Sequence, residues 1–165
     1  MTQDSKYTES GAILAILDEY KKAIDELKSV IKELNINDLE VIVDANTNDK
    51  NCISIQNILT HVVRAGYNYV VAIRNWLGES MDYKRAIVLN SSEEYCVALD
   101  EMHAFNVALF EDYPSIKLEE KEVDKKIKVI WGQRYDVEQL FEHAIVHILR
   151  HRRQIERFIL QLEIN

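Results

Sequence analysis

The sequence predicts an all-α fold, a four-helix bundle with long connections and a short extended segment before the last helix. Three observations predict it. The 165 residues contain four glycines and one proline, so residues that turn the chain or break a helix are scarce. Apolar side chains recur at steps of three and four through four separate stretches, the period of one helix face. Serine or aspartate stands ahead of three of those stretches, in the position of a helix cap. A chain of this length forms one core, so residues 1–165 read as a single domain.

The first helix spans about Ser10 to Leu34. Ile13, Ile16, Leu17, Tyr20, Ile24, Leu27, Ile31 and Leu34 make its apolar stripe, and Lys, Asp and Glu fill the other face. Residues 35–51 cluster Asn, Asp and Thr, which favour turns, so the span reads as a connection with Leu39 to Val43 locally extended. A second helix starts after the N-cap Ser54, buries Ile55, Ile58, Leu59, Val62, Tyr69, Ile73 and Trp76, and ends at Gly78. Gly66 within it allows close helix packing or room for a ligand. Residues 81–90 form a linker. Ser91 with Glu94 resembles a capping box and opens a third helix with the stripe Ala98, Met102, Phe105 and Leu109, running to about Asp112. The acidic span Ser115 to Asp124 reads as a solvated loop. Lys126 to Trp131 partly alternates charged and apolar residues, as a short strand or extended arm does. Trp131 and Tyr135 are expected to pack over the bundle end. Asp136 with Gln139 resembles another capping box and opens the last helix, about 136–162.

Acidic residues number 28 against 20 basic ones, for a formal net charge of −8. That balance opposes sequence-independent binding to nucleic acid and to an anionic membrane surface. No apolar run approaches the roughly 18 residues of a transmembrane helix, and the N-terminus lacks the layout of a signal peptide. Cys52 and Cys96 do not make a disulfide framework. A cytoplasmic protein with free thiols is expected.

Chemistry concentrates in the last helix, EHAIVHILRHRRQIERF (142–158), where His143, His147 and His151 recur at intervals of four. Imidazoles four residues apart share one face, about 6 Å apart along the axis. Two of them can reach one divalent ion, which takes neutral imidazole nitrogen at about 2.0–2.1 Å. His143 and His151 are about 12 Å apart along the axis, so only one adjacent pair binds. Spacing leaves 143/147 and 147/151 equally open. A third ligand has to come from another element, and His61, at the polar margin of the second helix's stripe, is the candidate. Taken alone, each of these histidines reads as a core or edge residue bonded to a backbone carbonyl. His103, off the stripe of the third helix, reads as a surface or interface residue. Arg150 and Gln154 are candidates for supporting the ligands or touching substrate.

SIQNILTHVV (54–63) resembles the second-helix signature of the DinB/YfiT-like metalloenzyme family. VEQLFEHAIVHILRHRRQIERF (137–158) resembles that family's last helix, with its His-x3-His pair followed closely by Arg and Gln. The order and spacing along the chain agree, so the resemblance covers most of it. It implies a four-helix bundle of the DinB type and one divalent metal ion, zinc or nickel, held by His61, His147 and His151, which selects the 147/151 pair. It also implies a homodimer, and activities that range from thiol-dependent S-transferases and isomerases to metal-dependent hydrolases. Many members carry glycine where this chain has Arg153, which alters the mouth of the site.

Two functions compete. In one, the metal activates a low-molecular-weight thiol or a water against a small-molecule substrate, as a transferase or a hydrolase. No carboxylate stands out as a general base, which favours thiol activation. In the other, the chain is a non-catalytic helical dimer or binding module with a structural or vestigial metal.

Overall fold

The computed structural model describes residues 10–163. It is predominantly helical, with one two-stranded sheet. The helices are α1 (Gly11–Ile31), α2 (Ile36–Glu40), α3 (Ile55–Trp76), α4 (Ser92–Asp112) and α5 (Val137–Gln161). The four long ones surround a shared core: α1 packs on α4 and α5, and α3 packs on the same two. No helix among the described residues is long and apolar enough to cross a membrane.

Local chemistry explains where the long helices begin. The Ser10, Ser54 and Ser91 side chains accept from the N–H three residues on, and Asp136 and Gln139 form a reciprocal capping box. Each cap satisfies donors that a helix start leaves without intrahelical partners. The α1 stripe is buried as its period requires, from Ile13 to Ile31.

Three elements differ from the sequence expectation. Residues 36–40 are helical rather than extended. The Asn35 side chain accepts from the Asn37 and Asp38 N–H groups, and Asp38 accepts in return from the Asn35 N–H. The residues expected to break a helix therefore start one, and α2 drives Leu39 fully into the core. On α4 the buried face is Tyr95, Leu99, Met102, Asn106, Leu109 and Phe110, while Ala98 and Phe105 lie at its edge. Asn106 hides that face from a hydropathy reading. It is wholly buried, with its amide N–H donating to Met102 O at 2.6 Å. Trp76 is 37 % exposed, and its indole N–H ties the end of α3 to Lys125 O at 2.9 Å.

The span after α3 has no regular structure but is held firmly. Asn75 exchanges hydrogen bonds with the Met81 backbone at 2.7 and 3.0 Å, and Asn68 does so with Lys84 at 2.7 and 3.1 Å. Gln56 donates to Leu89 O at 2.9 Å. Amides on one face of α3 thus stand in for the strand partner this backbone lacks. Before α5, β1 (Ile127–Lys128) pairs antiparallel with β2 (Arg134–Tyr135), closed by a turn in which Gly132 has φ +94°. The extended arm is one side of a hairpin, whose tip folds over α3 and α5.

Gly66 sets how closely α3 and α4 approach. A Cβ there would stand 2.3 Å from Met102 Sδ, and Met102 is fully buried with the Tyr20 hydroxyl donating to its sulfur at 3.5 Å. Overpacking of about 1–3 kcal/mol should outweigh the helix propensity of roughly 1 kcal/mol gained by alanine. Gly66→Ala is therefore expected to lower the urea midpoint. A midpoint unchanged or raised would show that the close approach is not required.

Candidate metal centre

His61 lies two turns into α3, and His147 and His151 lie one turn apart on α5. Packing of α3 on α5 brings the three rings together, with centroids 4.4 to 5.2 Å apart. His147 Nε2 stands 2.9 Å from His61 Nε2 and 3.2 Å from His151 Nε2. One donor nitrogen from each residue lies within 4.8 Å of the others, and among the described residues this is the group of histidine, cysteine and carboxylate side chains that converges so. Around an ion with bonds of about 2.0–2.1 Å in tetrahedral array, nitrogens stand roughly 3.3–3.4 Å apart. The separations from His147 fall a few tenths of an ångström short of that and the third pair lies within 4.8 Å, so the donor set suits one divalent ion once the three rings even out their spacing.

Burial keeps these rings neutral, which is the state a metal takes. It pushes His61 down to about 4, helped by the charges of His151 and Arg64 and opposed by Asp49. It pushes His147 down to about 2, with His151, His61, His143 and Arg150 adding to the effect. His151 is also lowered, first by burial, against a hydrogen bond to Gln154 that favours its charged form. That bond runs from His151 Nδ1 to Gln154 Oε1 at 3.1 Å. An acceptor there holds the ring proton on Nδ1 and turns the Nε2 lone pair toward the cluster.

The other expected residues divide. His143 stays out of the cluster. Its ring stacks on Trp131 at 5.6 Å and on His147 at 6.3 Å, and the Tyr135 hydroxyl lies 3.4 Å from its Nδ1. Arg150 is exposed and acts on His147 and His151 through its charge rather than a hydrogen bond. His103 is half-buried. It packs edge-on against Tyr20 and buries an Nε2 that has no partner among the described residues.

Sequence reading missed Asp49 and Arg64. Asp49 caps the 3₁₀ turn Lys50–Cys52. Burial works to raise its carboxyl, but hydrogen bonds from the Asn51 N–H, the Asn51 amide and the Cys52 thiol outweigh that and hold it below the usual carboxylate range. The Cys52 thiol is pushed up by burial and by Asp49, and Cys96 is pushed up chiefly by burial, so neither is activated as a nucleophile. Arg64 is half-buried one turn after His61, with Nη2 3.4 Å from His61 Nδ1. The i, i+3 spacing to His61 was the available signal.

A mostly apolar cavity of about 550 Å³ opens beside His61. Arg64, Tyr69, Tyr83, Lys84, Trp131 and His143 are among its walls. The hairpin supplies Trp131, and Asn68 positions the backbone that carries Tyr83 and Lys84.

The depressed ring pKa values fix a pH dependence for the metal-free protein. Unfolded histidine titrates near 6.5, above the folded values of His61 and His147. As pH falls through about 6.5 the unfolded chain takes up protons that the folded chain refuses, so stability declines toward pH 4 and below. In chelator-treated protein the urea midpoint should fall from about pH 7 to 4.5, and His147→Gln should reduce that fall. An identical fall in the variant would show that His147 is not held neutral by folding.

No family model matches the chain, and no curated protein or solved structure matches it.

Proposed function

We propose that this chain is a metal-dependent enzyme of the DinB/YfiT-like type, its four long helices forming that family's bundle. His61, His147 and His151 hold one divalent ion, zinc or nickel, and the protein acts on a small molecule in the cytoplasm as a homodimer. The observation that carries this reading is the pairing of three converging imidazoles with an open cavity on the His61 side. A structural site is closed by four protein ligands, whereas a catalytic one keeps a position for water or substrate.

A divalent ion held there supplies Lewis acidity that brings the pKa of a thiol or water toward neutral. The chain's own residues supply the rest. Burial holds the rings neutral, and Gln154 orients His151. Trp131, Tyr135 and His143 form an aromatic wall that limits water on one side of the site. The cavity lining contains neither aspartate nor glutamate, and Asp49 is committed to Asn51 and Cys52. With no carboxylate placed as a general base, thiol transfer is favoured over hydrolysis, since a thiol is the more readily ionised of the two nucleophiles.

Protein purified without chelators should carry about one zinc or nickel per chain, and His147→Ala should lose it while keeping its helical circular dichroism. Elemental analysis near zero, with no uptake when either metal is added, would overturn the metal reading. Metal-loaded protein should also consume a small thiol in the presence of an electrophile. A loaded centre inert toward a broad set of thiols and electrophiles would favour a structural ion in a binding module.

A further inference from the structure

The cavity beside His61 is lined by two cations and no acid, in a chain whose net charge is −8. Among the described residues no carboxylate lies within ion-pair distance of Arg64 or Lys84, although Lys21, Lys28, Arg74 and Arg152 are all so paired. The Lys84 ammonium lies 5.8 Å from the centre of the Tyr67 ring. Among the described residues, the guanidinium of Arg64 meets His61 Nδ1, 3.4 Å from Nη2.

That contact suits one tautomer alone. Arg64 can only donate, so it requires the lone pair of His61 on Nδ1 and the proton on Nε2. A ring that turns its Nε2 lone pair to an ion carries its proton on Nδ1. Arg64 then loses its acceptor and stays half-buried and charged beside a cation, which an anion can offset. The rest of the cavity is apolar and aromatic, with Tyr69, Tyr83 and Trp131 around it. Asn68 is held at both ends of its amide by the Lys84 backbone, which leaves it one free Nδ2–H.

We infer that this cavity binds a small monocarboxylate with an aromatic or apolar body, its carboxylate on Arg64 with Lys84 nearby and its body between Tyr69, Tyr83 and Trp131. The planar guanidinium matches the two carboxylate oxygens in a fork. One such fork with few additional donors suits a single negative charge better than a phosphate dianion. Asp49 is the acidic group whose charge reaches His61, but it is not part of the cavity lining. The inference deepens the metal reading of the same site and rests on it for where the carboxylate points, and the experiment separates the two.

Calorimetric titrations compare phenylacetate, benzyl alcohol and acetate on metal-loaded and on chelator-treated protein. Phenylacetate should bind at least about tenfold more tightly than benzyl alcohol, which lacks the charge, and than acetate, which lacks the body. Arg64→Gln should bring phenylacetate down to the level of benzyl alcohol, and Arg64→Lys should restore part of the difference, with circular dichroism unchanged in both. Trp131→Ala should weaken both aromatic ligands alike. Equal binding of phenylacetate and benzyl alcohol to the unaltered protein, or undiminished phenylacetate binding in Arg64→Gln, would overturn the inference even if the protein holds one metal per chain. Arg64-dependent preference for phenylacetate in a protein that takes up no metal would leave the inference standing and the metal reading overturned.

Discussion

Three imidazole nitrogens a few ångströms apart oppose full protonation, and the packing of α3 on α5 brings them together. His147 faces like charges from three other histidines and from Arg150 if the rings ionise, on top of its own burial. A cluster that resists protonation this strongly has two ways to settle its converging lone pairs. One is a chain of N–H···N bonds, in which a ring turns its proton inward. The other is a shared cation. Gln154 works toward the second at His151 by holding the proton on Nδ1, while Arg64 works toward the first at His61. The helices set the separations, and these two neighbours set the tautomers.

The position of α3 also draws on contacts with α4 well away from the rings. Arg74 is nearly buried at the far end of α3, where it pairs with Glu79 at 2.9 Å and with Asp112 of α4 at 2.6 Å. The Tyr113 hydroxyl donates to the same Glu79 at 2.6 Å. A buried guanidinium with two carboxylates is a weak source of net stability, but leaving it unpaired would be strongly unfavourable, so it fixes how the ends of α3 and α4 align. Asn106 does a similar job at mid-height by tying its amide to Met102 and Gly66 carbonyls. Polar groups inside the core select one alignment of the helices, and apolar burial supplies the drive to adopt it.

What was legible in the sequence was local or periodic. The caps Ser54, Ser91 and Asp136 could be read because a cap involves residues two or three apart. The α1 stripe could be read because its buried face is continuously apolar. His147 and His151 share a face by spacing alone, but the choice of that pair over 143/147 came from the family resemblance, and His143 lies against Trp131 instead. What failed was ambiguous or long-range. Asn35 and Asp38 are good helix breakers and equally good caps, and only the chain beyond them decides. Asn106 made a buried face look polar. The stretch 81–90 carries no pattern because its order comes from amides on α3, six to 33 residues away. The cavity wall was therefore the least legible part of the site.

A net charge of −8 opposes extended anions more than small ones, and the distinction is one of scale. A nucleic acid or an anionic bilayer presents charge over an area far wider than the Debye length, about 8 Å at physiological salt, so it meets the average acidity of a whole face. A small carboxylate in a cavity of about 550 Å³ meets only the walls. Those walls carry Arg64 and Lys84 without a compensating acid, and Arg64 is the half-buried one of the two. On the proposed reading, the acidic net charge disfavours polyanions while the cavity takes a single negative charge. The cavity opens beside His61, so a carboxylate seated on Arg64 would bring the rest of its molecule close to the three-histidine cluster.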